Sequence, residues 1–282
     1  MLSRTHRLRV LVPVDFSDGS SQAVHHAAAW ANHVPSELHV VHAVDSSDGD
    51  AASSSRAMAF VLTGLEERSL ADLGTLTGVD GHPVPVHHHI AAGGVPNEIV
   101  RLAGELRADL VVMGAAGSGG TGALIGSVAR RVVAESTCPV VVVPAASQGE
   151  DWHHILSAVD FSAASRVAMN VAADVADRAG VALVVLHAAR LGSDPKGDTD
   201  AKELLESWRR DAQARSRTPV STVFAFGAPE TAIVDAARRL GCSLIVLGEQ
   251  HRLGIGAVLD DVARRSSVPV MTVHPTDAAG AC

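Results

Sequence analysis

The residues best suited to chemistry form one glycine-rich stretch, Gly114-Ala115-Ala116-Gly117-Ser118-Gly119-Gly120-Thr121-Gly122-Ala123-Leu124-Ile125-Gly126-Ser127. Successive glycines let backbone N–H groups turn toward an anion with no side chain in the way. Gly126-Ser127 opens a helical stretch, adding unpaired amides and the positive end of a helix dipole, and the Ser127 hydroxyl can donate to a phosphate oxygen. A surface loop with Ser127 as N-cap is the structural alternative. Any phosphate held here is held without a lysine, because the chain has only Lys196 and Lys202 and no GxxxxGK[ST] loop.

Other reactive residue types are less well arranged. There is no G-x-S-x-G elbow and no cysteine with a placed base. Tyrosine is absent, which removes a phenolic acid. His87-His88-His89 invites a metal reading, but on a strand His87 and His89 share a face while His88 points away, so the run alone does not converge. A solvated edge strand with no metal is the expectation. His25-His26 and His153-His154 are adjacent pairs, poorly spaced for joint coordination from a helix. Trp30, Trp152 and Trp208 are too scattered to form a stacking platform.

The elements that must position the glycine stretch occur twice. Val14-Asp15-Phe16-Ser17 returns as Val159-Asp160-Phe161-Ser162, and His42 as His187, both displaced by 145 residues. Ala108–Gly114 matches Cys242–Gly248 at a displacement of 134, and Val128-Ala129-Arg130-Arg131 reappears as Val262-Ala263-Arg264-Arg265. Cys138-Pro139-Val140 faces Val268-Pro269-Val270 at 130. Ordered landmarks of this kind indicate a tandem duplication, joined by the polar segment Ala145–Asp151. In the first copy, apolar runs at Val10–Val14, Leu38–Val44, Val84–Ile90, Leu110–Met113 and Val140–Val143 read as strands. Helical spacing occupies Ser20–Asn32, Ala57–Leu73, Pro96–Leu106 and Val128–Glu135. Near-continuous apolar strands alternating with helices predict α/β architecture: two doubly wound domains, each a five-stranded parallel sheet flanked by four helices. In such a sheet the ligand crevice lies at the carboxyl ends of the strands, where Asp15 ends the first run and Gly114 the fourth.

Each half resembles the universal stress protein family. The resemblance rests on VPVDFSDGSSQAV, GGVPNEIVRLAGELRADLVVMG and GAAG…GSVARRVVAESTCPVVVV. It implies an adenine nucleotide alpha hydrolase-like fold, with domains at 1–146, carrying the glycine-rich loop, and 151–276, with a degenerate one. Nucleotide-binding members carry Gly-x2-Gly-x9-Gly-(Ser/Thr) at this place. Here Gly114-x2-Gly117 is followed by eight residues before Gly126-Ser127, one short of that pattern. The resemblance implies ATP, with Mg2+ as its accompanying cation. The base would lie near Pro13, Asp15, Ala43 and Met113, and the phosphates on Gly114, Gly117, Gly126, Ser127 and Val128. Ala43 stands where members often carry valine. Asp15 also has a structural alternative, capping the helix that follows it. The expected function is an ATP-binding regulatory, stress-response protein. A slow ATPase or phosphotransferase, and a non-nucleotide interaction scaffold with both sites degenerate, are the alternatives. The resemblance further implies an unidentified protein partner and an intramolecular pseudo-dimer through the terminal strands Pro139–Val143 and Pro269–Val273, with a homodimer as a further assembly.

The second copy serves as an internal control. At the displacement of 134, Gly248 is retained, Gly117 becomes His251, and Gly126 and Ser127 become Asp260 and Asp261. Carboxylates at that helix start would repel phosphate, so the expectation is one competent site per chain. The bulk numbers agree with a globular protein: 47% hydrophobic and 19% charged residues, with no apolar run long enough to span a bilayer. A net charge of −8 argues against a general nucleic-acid surface. The apolar run after MLSRTHRLR stops at Asp15, too soon for a secretory segment. Three cysteines without a CxxC pair suit a reducing compartment, so a cytoplasmic location without membrane attachment is expected.

Overall fold

A computed structural model describes residues 7–44, 76–117, 125–147, 152–189, 195–250 and 256–275. The helix expected at Ala57–Leu73 lies outside the described residues, as do glycine-loop residues 118–124 and His251. The chain divides into two compact units, 5–145 and the segment from Ala146 onward.

In the first unit, β1 (Leu8–Pro13), β2 (Ser36–Val44), β3 (Val86–Ala92), β4 (Leu110–Gly114) and β5 (Val140–Val143) stand in the order β3-β2-β1-β4-β5. Adjacent strands are parallel, with Val10 opposite both Leu38 and Leu110. The helices are α1 (Asp18–His33), α2 (Val95–Glu105) and α3 (Ser127–Glu135). The second unit repeats this plan with β6 (His154–Ala158), β7 (Ala182–Ala189), β8 (Val220–Phe226), β9 (Cys242–Gly248) and β10 (Val270–Val273), in the order β8-β7-β6-β9-β10. Its helices are α4 (Ala163–Ala179), α5 (Pro195–Arg215), α6 (Pro229–Arg239) and α7 (Ala257–Arg265). The strand order reverses at β1 and β6, each lying between the second and fourth strands of its unit. That is the switch point at which open parallel sheets leave a crevice.

The apolar runs became strands because they are buried on both faces; Val10, Leu11, Val111 and Val143 have no exposed surface. Helix α1 approaches the sheet through small residues four apart. Ala23, Ala27 and Ala31 are fully buried, and Ala168, Ala172 and Ala176 repeat the stripe in α4. The approach is tightest at the helix start. A Cβ on Gly114 would lie 2.6 Å from the Gly19 carbonyl oxygen, and one on Gly19 would lie 2.1 Å from that of Ala116. In the second unit a Cβ on Gly248 would meet the Ala164 backbone at 2.5 Å. The glycine ending the fourth strand is therefore required by packing in both units.

Cys138 and Cys242 are both buried: Cys138 lies beside the Ser136 hydroxyl, and burial pushes the Cys242 thiol up to about 11.

Two substitutions separate packing from propensity. Gly104, late in α2, has nothing within reach of an added Cβ, so Gly104→Ala should stabilise the protein by up to ~1 kcal/mol. Gly114→Ala forces a backbone shift and should cost about 1–3 kcal/mol. Urea denaturation midpoints should move in opposite directions for the two variants.

Candidate nucleotide crevice

The entry to the first helix is built by a short polar relay. Phe16 adopts a left-handed backbone (φ 61°), as does Phe161 (φ 63°), an uncommon conformation for a bulky residue. This turn folds Asp15 back over the chain. Its Oδ1 accepts from the Ser17 amide at 3.1 Å and from the Ser17 hydroxyl. Ser17 in turn is the N-cap of α1, accepting from the Ser20 amide at 3.2 Å. Asp160, Ser162 and Ser165 repeat the relay. So Asp15 does not cap the helix itself; it orients the residue that does. Its second carboxylate oxygen faces Gly117, where an added Cβ would approach it to 2.4 Å.

A cavity of about 430 Å³ opens at the switch point of the first unit. Pro13 and Asp15 at the end of β1, Ala43 in β2, and Met113 and Gly114 in β4 line it, together with Gly117, Gly126, Ser127 and Val128. All nine residues singled out in the sequence thus meet on one wall system. Val41, Val95 and Ile99 complete the apolar side. The sequence reading missed these three, although Val41 shares the pleat of Ala43 and the alternation of β2 could have supplied it. Among the described lining residues Asp15 is the one acid, and no lysine, arginine or histidine joins it.

The glycine-rich end of the cavity differs from the alternative in which Ser127 caps the helix. Gly126, not Ser127, is the N-cap of α3, and no side chain caps it. Ser127 is the first helical residue and is exposed. The Gly126 amide donates to the Ala115 carbonyl at 2.7 Å, and Arg130 Nε to the Ile125 carbonyl at 3.0 Å, pinning the returning end of the loop. The first-turn amides of α3 then have no intrahelical acceptor and no capping side chain, leaving a donor set at the cavity rim.

The second unit corrects the sequence comparison. Gly126 corresponds to Gly256, the N-cap of α7, at a displacement of 130. The loop between β9 and α7 is four residues shorter than its counterpart between β4 and α3. Asp260 and Asp261 therefore fall four residues beyond the positions of Gly126 and Ser127, Asp260 closing the first turn of α7, and both pair with Arg264. The carboxylate at the helix start belongs to Glu249, which is 5% exposed. Its Oε2 accepts from the Gly256 amide at 2.8 Å, whereas in the first unit that amide's counterpart reaches the Ala115 backbone. Glu249 and Asp160 both line the second crevice, of about 450 Å³. His42 and His187 each bind the end of the first strand of their unit, through Nδ1 to the carbonyl of Val14 or Val159 at 2.8 Å, and His187 also lines the second crevice.

A parallel, doubly wound sheet with its crevice at the switch point defines an open α/β sheet architecture. Comparison with known proteins makes this specific: the model of the universal stress protein family matches residues 6–144 and again 151–274. The chain belongs to that family, as a tandem two-domain member. It is 32% identical over 137 residues to a universal stress protein of Methanocaldococcus jannaschii, covering 48% of this chain and 81% of that protein. It is 29% identical over 188 residues to one of Mycobacterium tuberculosis, covering 59% of this chain and 62% of the relative, so less than two thirds of the latter's length is matched. The crystal structure of a universal stress protein from Archaeoglobus fulgidus superposes with a TM-score of 0.73 at 18% identity, over 95% of this chain and 98% of that one, a likeness of fold. Among the described residues no helix is long and apolar enough to cross a membrane.

The relay has a pH signature. Burial pushes the Asp160 carboxyl up, but the hydrogen bonds from Ser162 and Ser165 outweigh it and hold the group below its ordinary 3.8. A depressed folded-state pKa contributes stability that is present above 3.8 and lost as pH falls through the folded value. Asp160→Asn should therefore flatten the loss of stability in acid below about pH 4, read as urea midpoints across a pH series.

Proposed function

We propose that the first domain binds ATP and that the chain acts as a nucleotide-responsive regulatory protein. The observation carrying this reading is the convergence of the nine named residues on one cavity beside an uncapped helix N-terminus. In it, the adenine lies against Pro13, Ala43 and Met113, with the second carboxylate oxygen of Asp15 directed at the base or ribose. The phosphates lie along Gly117, Gly126, Ser127 and Val128, with Gly114 shaping the floor. Mg2+ accompanies the nucleotide as its counter-cation. The described lining residues favour holding over hydrolysis, since Asp15 is their single acid and it is tied up with Ser17. A chain of this kind would work in the cytoplasm, passing its nucleotide state to a protein partner.

The second domain takes no polyphosphate in this reading. At ~4 Å and a near-surface dielectric, two like charges cost about 4 kcal/mol, and Glu249 holds such a charge at the helix start. Removing that much binding energy turns micromolar affinity into millimolar.

Isothermal titration of the full chain with Mg-ATP should show one site. At 100 times the dissociation constant, ATP should raise the unfolding free energy by about 2.7 kcal/mol. Gly117→Glu and Ser127→Asp should abolish both effects, and Glu249→Gln should leave the first site intact. Two equivalent sites, or no heat and no stabilisation, would overturn the reading.

A further inference from the structure

The histidine run of β3 gains partners that its own spacing withholds. Glu37 and His39 on β2 lie on the same pleat as His87 and His89, because His39 stands opposite His87 in the parallel register. One ligand atom from each of Glu37, His39 and His87 falls within 4.8 Å of the others. His39 Nδ1 is 2.9 Å from His89 Nε2, and its Nε2 is 3.4 Å from Glu37 Oε1. The His39 ring stacks on those of His87 and His89, with centroids 4.8 and 5.2 Å away. We propose that Glu37, His39 and His87 form a binding site for a borderline divalent transition-metal ion such as Zn2+, with His89 holding the far nitrogen of the His39 ring.

Three features favour a metal over simple packing. The donor set is two imidazoles and a carboxylate, the mixture that such ions select. Tetrahedral coordination at Zn–N distances of 2.0–2.1 Å spaces ligand atoms roughly 3.3 Å apart, so His39 Nε2 and Glu37 Oε1, 3.4 Å apart, already stand near that spacing, while His89 engages His39 Nδ1. Exposed His87 can rotate to close the remainder. The second unit supplies the control. Using the displacement fixed by His42 and His187, and the matching register of β7 and β8, these four positions become Ala182, Val184, Ser221 and Val223. None is a metal ligand of this type, so the fold itself does not call for ligating residues there. Arg9 donates to Glu37 at 2.9 Å and fixes its carboxylate beside His39, an orienting contact of the kind that sets ligand geometry.

The site occupies the amino-terminal half of β2 and β3, away from the strand ends that line the nucleotide crevice, so its test does not depend on nucleotide. The full chain should take up one equivalent of Zn2+ in a titration against a chromogenic chelator, and Co2+ should give the visible bands of a four-coordinate ion. The double variant His87→Gln, His89→Gln replaces one exposed and one half-buried residue with polar side chains. It should weaken Zn2+ by at least tenfold and remove the Co2+ bands, while His25→Gln, His26→Gln leaves both unchanged. Absence of saturable Zn2+ binding in the wild type, or equal affinity in the His87/His89 variant, would overturn the proposal.

Discussion

The contact between the end of β4 and the start of α1 sets most of the geometry of the first unit. Gly114 and Gly19 bring two backbones together with no side chain between them. The alanine stripe Ala23, Ala27 and Ala31 continues the approach down the helix, so α1 lies close upon the sheet along its length. With α1 so placed, the turn at Phe16 must fold sharply, and it does so at a left-handed backbone that only surrounding structure can enforce. That turn presents one oxygen of Asp15 to the chain and the other to Gly117. The crevice is thus a by-product of close packing before it is a site for anything.

This changes the meaning of one glycine. Sequence reasoning attributes Gly114 to a phosphate cradle, but Gly248 persists in the second unit, where a carboxylate stands at the helix start. The shared demand is steric. What distinguishes the units lies beyond that glycine: a longer loop closing on a backbone carbonyl in one, and a shorter loop closing on the Glu249 side chain in the other.

Much of the fold was legible because strands buried on both faces leave long apolar runs. β5 matched its run from end to end, and other boundaries moved by one or two residues. The duplication was visible for the same reason. The failure was local and instructive. Val-Ala-Arg-Arg occurs in both halves, and aligning the two copies of it placed Asp260 and Asp261 on Gly126 and Ser127. Burial decides otherwise: Ala129, Val132 and Val133 face the core in α3, and Leu259, Val262 and Ala263 do so in α7, a displacement of 130. The loop had already lost its four residues before the helix began, and a four-residue slip nearly preserves helical phase, which hides it. Glu249 gave no signal, since a glutamate after a strand reads as a solvated loop residue. The Glu37–His89 cluster was illegible for a different reason. Which residue of β2 stands beside which of β3 is a matter of strand register, and no periodicity within either strand contains it.

Glu249 also separates the two helix starts in their dependence on solution conditions. A carboxylate attached to the chain meets the Gly256 amide at an effective concentration fixed by the short stretch of chain that joins them, whatever the surroundings contain. The start of α7 therefore keeps its acceptor at every dilution. Among the described residues the start of α3 has no such tether, and its balance is left to whatever anion or water the medium provides. One helix start is self-contained, and the other is open to exchange with its solvent.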